Sequence, residues 1–227
     1  ALTFSRWLKY FDYDLLEEKY LENQNRLVDD DLDRSKLTEI FKKRDVLLLA
    51  PGHSVLDEEA EIKKFISEHN PVIIGVNAII NTYAECYDFL LFVNKVRYNY
   101  ARETYPEVFF ANKRIVLSNI HTAKTEDEIV INFNRVIKRG WEHFDNAVIC
   151  ALRMLSRMNA KNVFLAGFDG FKERYNESYA DADLPALNVS NKWEALNAEI
   201  RDMYSDVKLS VGEKIKIKFL TNSVFEL

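Results

Sequence analysis

The chain has 227 residues, 48% hydrophobic and 30% charged, with a net charge of -5 and a pI near 5.5. That length buries a full core, and the acidic balance excludes a nucleic-acid grip, which needs a clustered Lys/Arg face. Cys86 and Cys150 lie far apart among apolar neighbours, so two reduced thiols are expected rather than a disulfide framework or a Cys/His zinc site. No apolar run approaches the ~18 residues a membrane span requires. The N-terminus lacks a secretion-signal layout, so a cytoplasmic protein with no membrane partner is expected.

Phe4, Trp7, Leu8, Phe11 and Leu15 recur at helical spacing and predict an amphipathic N-terminal helix. The acidic break at 29–33 reads as solvated carboxylates, with Asp33 capping a short helix that carries Leu37, Ile40 and Phe41. Residues 1–44 thus form a helical segment and linker, and 45–227 one α/β domain.

Val46 to Ala50 carries no polar side chain, the pattern of a strand buried on both faces of a parallel sheet. Pro51 and Gly52 end it, and Ser54 is expected to cap the next helix with Asp57 answering three residues on. Ile62, Phe65, Ile66 and His69 mark that helix's inner face. Strands follow over 72–76, 88–93 and 114–118, each stopped by an asparagine: Asn77, Asn94 and Asn119. Residues 128–137 fit either period, and an irregular strand is the preferred reading.

A helix opens at Phe144-Asp-Asn146 and places Val148, Ala151, Leu152 and Leu155 on one face. It leads into a fifth strand, 162–166, which breaks at Gly167-Phe-Asp-Gly170. Residues 171–189 read as a long polar loop, of the kind that serves as a lid or binding loop. A last helix over 191–203 precedes an edge strand over 214–219, guarded by lysines. Strands alternating with helices predict a doubly wound, mainly parallel, Rossmann-like three-layer sandwich with an N-terminal helical appendage. The expected strand order is 3-2-1-4-5-6, with its switch point beside Gly52.

Ligands of such sheets bind at the carboxyl ends of the strands, so Gly52, His53, Ser54, Asn77, Asn94, Asn146, Gly167 and Asp169 are the candidate lining residues. There is neither a GxGxxG nor a P-loop pattern, and Asp57, Glu58, Glu59 and Glu61 would repel an anion at the first helix. Gly52 is instead expected to let a sugar or base edge approach the backbone. The helix at Asn146 is a better anion seat, with Lys138 and Arg139 upstream, unless Asp145 caps it. His53 is a candidate proton shuttle or a surface turn residue, and Asp169 a candidate general base, ribose ligand or turn residue. His121 is a weaker candidate, while His69 and His143 read as structural. No Ser-His-Asp set can be assembled, and no metal site or cofactor is expected within this segment.

The Pro-Gly-His-Ser loop, the strands ending in Asn77 and Asn94, the 145–170 segment with its Val-Phe-Leu-Ala-Gly-Phe-Asp strand, and the last strand leading to Leu220-Thr-Asn-Ser223 resemble the bacterial CMP-sialic-acid-dependent sialyltransferases. They also resemble flagellar glycosyltransferase and pterin-pyrophosphokinase-like domains. The resemblance implies that these loops surround a nucleotide. Those transferases carry a catalytic histidine before the last helix, and 187–193 here has none.

A second resemblance covers more of the chain. Tyr20-Leu-Glu-Asn-Gln24, the acidic break and Val-Leu-Leu-Leu-Ala-Pro-Gly-His-Ser are similar to the region behind the barrel in HMG-CoA lyase-like aldolases. It implies a Rossmann-like domain trailing a TIM barrel of the same chain, with the divalent metal and lyase chemistry in that barrel. The start on Ala1 fits such an excised piece. The leading expectation is an accessory domain binding a nucleotide, nucleotide-sugar or other phosphorylated metabolite. The alternatives are a glycosyltransferase-like enzyme and a structural module that mediates homo-oligomerisation.

Overall fold

The computed structural model describes residues 28–120, 125–187 and 192–226. The N-terminal stripe at 4–15, the 20–24 stretch and His121 lie outside them. Seven strands form one sheet: β1 (Val46–Leu49), β2 (Val72–Val76), β3 (Phe89–Phe92), β4 (Lys113–Leu117), β5 (Glu128–Ile131), β6 (Asn162–Ala166) and β7 (Lys216–Phe219). Their order is β5-β4-β3-β2-β1-β6-β7, and every pairing is parallel.

An all-parallel sheet must be covered on both faces. Successive side chains divide accordingly: Val46, Leu48, Ile74, Leu91 and Ile115 enter one core, and Leu47, Leu49, Ile73, Leu90 and Val116 the other. The second core is closed by α2 (Ser54–Asp57), α3 (Glu59–His69), α4 (Lys95–Thr104) and α5 (Pro106–Ala111). The first is closed by α1 (Asp31–Phe41), α6 (Phe133–Val136), α7 (Ala147–Arg157) and α8 (Trp193–Val211). This is the Rossmann-like three-layer layout. Leu37 and Phe41 of α1 are fully buried, so residues 31–41 belong to the α/β body rather than to a linker.

The strand order differs from 3-2-1-4-5-6. β4 joins the outer side of β3, and the place beside β1 falls to β6. Right-handed crossovers whose helices stay on one face always step the same way, and α2 to α5 all lie on one face. The chain reverses only when α6 and α7 pass over the opposite face. The switch point therefore falls between β1 and β6, still beside Gly52.

Residues 128–137 are strand and then helical turn, because the Asn132 side chain accepts the Asn134 N–H and starts α6. The acidic break is solvated only in part: Asp29 and Asp31 are exposed, but Asp30 and Asp33 are buried. Asp30 is 1% exposed and accepts the Asn132 N–H at 2.8 Å, while Asp33 accepts the Val130 N–H at 3.4 Å. These carboxylates fill donors on the outer edge of β5, which no described strand covers. Asp30, not Asp33, holds the N-cap position of α1. The last helix runs to Val211, because Tyr204, Val207 and Val211 continue its buried stripe. Among the described residues no helix is long and apolar enough to cross a membrane.

Candidate functional site

A cavity of about 300 Å³ opens at the carboxyl ends of β1, β2 and β6, at the low end of the range for small-molecule pockets. The starts of α4 and α7 form its sides, and residues 170–187 border it. Gly52, Asn77, Asn94, Asn146, Gly167 and Asp169 all line it. His53 and Ser54 do not; the His53 side chain is 43% exposed and its Nδ1 pairs with Asp57 at 3.1 Å.

The Pro51–Ser54 corner is closed upon itself. A Cβ on Gly52 would lie 2.3 Å from the Gly167 carbonyl and 2.6 Å from the Asp169 carboxyl carbon. The bare glycine therefore admits the neighbouring loop, not a sugar or base edge. Gly167 sits at φ +75, and a Cβ there would lie 2.1 Å from the Ala50 carbonyl. Ser54 does not cap α2. It is the first residue of that helix, and Asp169 supplies the acceptors, taking the Ser54 N–H at 2.8 Å and its hydroxyl at 2.5 Å. Burial pushes the Asp169 carboxyl above its ordinary pKa, and the two Ser54 bonds pull it back. Each Asp169 oxygen is thus engaged in capping, a structural duty carried by a residue that also lines the cavity.

The asparagines also have local work. Asn77, in the left-handed region at φ 56, accepts the Val93 N–H, and Asn119 donates to the Val93 carbonyl, so the two stitch the end of β3 from both sides. Asn94 caps α4 by accepting the Val96 and Arg97 N–H groups, and Asn146 caps α7 by accepting the Ile149 N–H. Asn146, not Asp145, is therefore the cap. Of the cations expected near α7, Lys138 is tied to Asp206 and Arg139 reaches Asn134 at 3.5 Å. Neither lines the cavity.

Other residues supply what those cations do not. Arg97, in the first turn of α4, is 3% exposed and lines the cavity. Its guanidinium carbon lies 4.8 Å from the centroid of the Tyr179 ring, and its Nη1 is buried with no hydrogen-bond partner among the described residues. Burial lowers the pKa of Arg97, while Tyr179, Tyr175 and Asp181 oppose that shift. A sequence signal did exist. First helical turns favour acids, and this one has Lys95 and Arg97 with no acid at all.

On another wall, His143 is joined twice to Glu199 of α8. The His143 N–H donates to one carboxylate oxygen at 2.9 Å, and Nδ1 lies 2.6 Å from the other. Glu199 is 3% exposed, and its place between Leu196 and Ile200 on the apolar stripe was the signal for it. Glu142 brings a third ligand atom within 4.8 Å of these two residues, but the two hydrogen bonds already account for how close His143 and Glu199 lie.

The loop over the cavity is fastened at several points. The Asn197 side chain bonds both the N–H and the carbonyl of Phe171, and Tyr179 bridges to Gly52. The Ala180 N–H donates to the Pro51 carbonyl, and Asp181 accepts the Tyr100 and Tyr105 hydroxyls at 2.9 Å each. Phe171 and Tyr175 stack at 4.9 Å, and both line the cavity. No protein-family model matches the chain, and no curated protein matches it.

Proposed function

We propose that this domain binds a phosphorylated small molecule, a nucleotide or nucleotide-sugar, at the carboxyl edge of its sheet, as an accessory domain to an aldolase barrel. The observation that carries the binding is Arg97. A buried guanidinium nitrogen with no partner costs about 1–3 kcal/mol or more, and a phosphate in the cavity would remove that cost with charge-assisted bonds. The α7 N-terminus offers backbone donors at the same cavity, and Phe171 and Tyr175 offer ring faces to a base. The aldolase association rests on the resemblance over 20–54, not on the cavity.

Thermal denaturation with CMP, UMP, AMP, GMP or inorganic phosphate tests the binding. Saturation at 100 times Kd adds about 2.7 kcal/mol, a rise in Tm of roughly 5–10 °C for a chain of this size. In Arg97→Met the unliganded Tm should change little, since removing a buried nitrogen without a hydrogen-bond partner offsets the lost contact with Tyr179, while the ligand-induced rise disappears. No shift with any of these probes, or the same shift in Arg97→Met, overturns the proposal.

A further inference from the structure

We infer that His143, oriented by Glu199, is the general base of a phosphoanhydride hydrolysis carried out in this same cavity. The inference rests on the binding proposal above and goes beyond it, because a binding module needs no oriented imidazole. Glu199 is buried and commits both oxygens to a single residue, one to the backbone N–H and one to Nδ1 of His143. A carboxylate 2.6 Å from Nδ1 requires the proton on that nitrogen, so the basic lone pair of the neutral ring lies on Nε2. The double attachment also fixes the ring plane relative to the backbone. Such an arrangement selects one tautomer and one orientation, the duty of the carboxylate in a carboxylate–imidazole dyad.

His143 and Arg97 line one cavity and complement each other chemically. The guanidinium neutralises the phosphate oxygens, which otherwise repel a nucleophile, and the imidazole takes up the proton the nucleophile sheds. The step balances with water as the only co-reactant. The water oxygen forms a bond to phosphorus, and its proton passes to Nε2 of His143. The bond from phosphorus to the bridging oxygen breaks, and the electron pair stays on that oxygen. The leaving group departs as a phosphate anion and needs no proton. The His143 proton then returns to solvent. The substrate class is a nucleotide-sugar or nucleoside diphosphate, giving a nucleoside monophosphate and a second phosphate species. Glu199 acts as a positioning residue.

The experiment incubates the full chain with UDP-glucose, GDP-mannose, UDP and CDP, separates the products, and follows binding of UMP and CMP by thermal shift in parallel. Release of nucleoside monophosphate with sugar phosphate or inorganic phosphate is expected, at a rate unchanged by EDTA. His143→Ala should lower kcat by ~10²- to 10⁴-fold while keeping the UMP or CMP shift, and added imidazole should restore part of the rate. Glu199→Gln should lower kcat at least about 10-fold with KM within about 2-fold, the pattern of an interaction made in the transition state. Bound nucleotide without turnover overturns the inference and leaves the binding proposal standing; absence of any nucleotide shift removes the binding proposal itself. Nucleoside diphosphate plus free sugar as products, loss of turnover in EDTA, or full activity in His143→Ala each overturns it as well.

Discussion

Two corners at the same edge of the sheet use their residues in opposite ways. At Pro51–Ser54 every conspicuous group but the exposed His53 is turned inward: Gly52 and Gly167 let two loops cross, and Asp169 caps α2 through Ser54. At Asn94–Arg97 the cap is internal, Asn94 on its own helix, and the cation three residues on borders the cavity with an unbonded nitrogen. A glycine-proline corner shows where the chain must fold tightly. A buried guanidinium with one unbonded nitrogen marks where we propose that a ligand binds. The first corner builds the rim and the second equips it.

The strongest way to break that contrast is Gly167→Ala. A side chain at φ +75 is strained, and its Cβ would meet the Ala50 carbonyl at 2.1 Å, backbone that can yield only by parting β1 from β6. Strain and overpacking together should cost about 3–5 kcal/mol, lowering Tm by roughly 10 °C or more. Urea denaturation measures it. A loss below about 1 kcal/mol would mean that the corner has slack and is not the closed structure described.

Asp169 sharpens the contrast in the middle range. Asp169→Ala leaves the first N–H of α2 without its acceptor and should cost about 1–2 kcal/mol. Asp169→Asn should cost less, because its oxygen can accept the Ser54 N–H while its amide donates to the Ser54 hydroxyl. The pH dependence separates charge from capping. Burial raises the folded-state pKa of Asp169 above the unfolded value of 3.8, so the folded protein holds this proton more tightly. The stability this group contributes is therefore complete below pH 3.8 and is lost as pH rises through the raised value. The difference in unfolding free energy between wild type and Asp169→Asn should be largest in acid and shrink toward neutrality. A difference that grows with pH would show that the Ser54 bonds outweigh burial.

Much of the scaffold could be read from the chain because buried parallel strands announce themselves. The apolar runs 46–50, 72–76 and 163–166 are bounded by turn or polar residues, and they contain or fall within β1, β2 and β6. Strand order could not be read in the same way, since it depends on which face each crossover helix takes. Asp30 and Asp33 misled because a carboxylate run is ordinarily solvated, and the open edge of β5, together with Arg135 beside Asp30, gives these two a reason to be buried. The rim asparagines were legible as positions, but their cap and stitch bonds follow from turn geometry that any ligand would have to share. Arg97 was overlooked inside a polar helix, although cations in a first turn oppose the helix dipole. His143 gave no local signal at all. Its partner lies in α8, and the pairing exists only in three dimensions.

The smallest effect belongs to the residue that stood out most in the sequence. His53 follows the Pro-Gly turn, yet its side chain is 43% exposed, it does not line the cavity, and its partner Asp57 is 64% exposed. A pair so open to solvent is screened and contributes little, so His53→Ala should change stability by no more than about 0.5 kcal/mol. The nucleotide-induced thermal shift should be unchanged, and so should any turnover of UDP-glucose or CDP. Loss of either in His53→Ala would place chemistry at the Pro-Gly corner after all. The contrast between the two corners would then have to be redrawn around α2, whose own first turn carries Asp57.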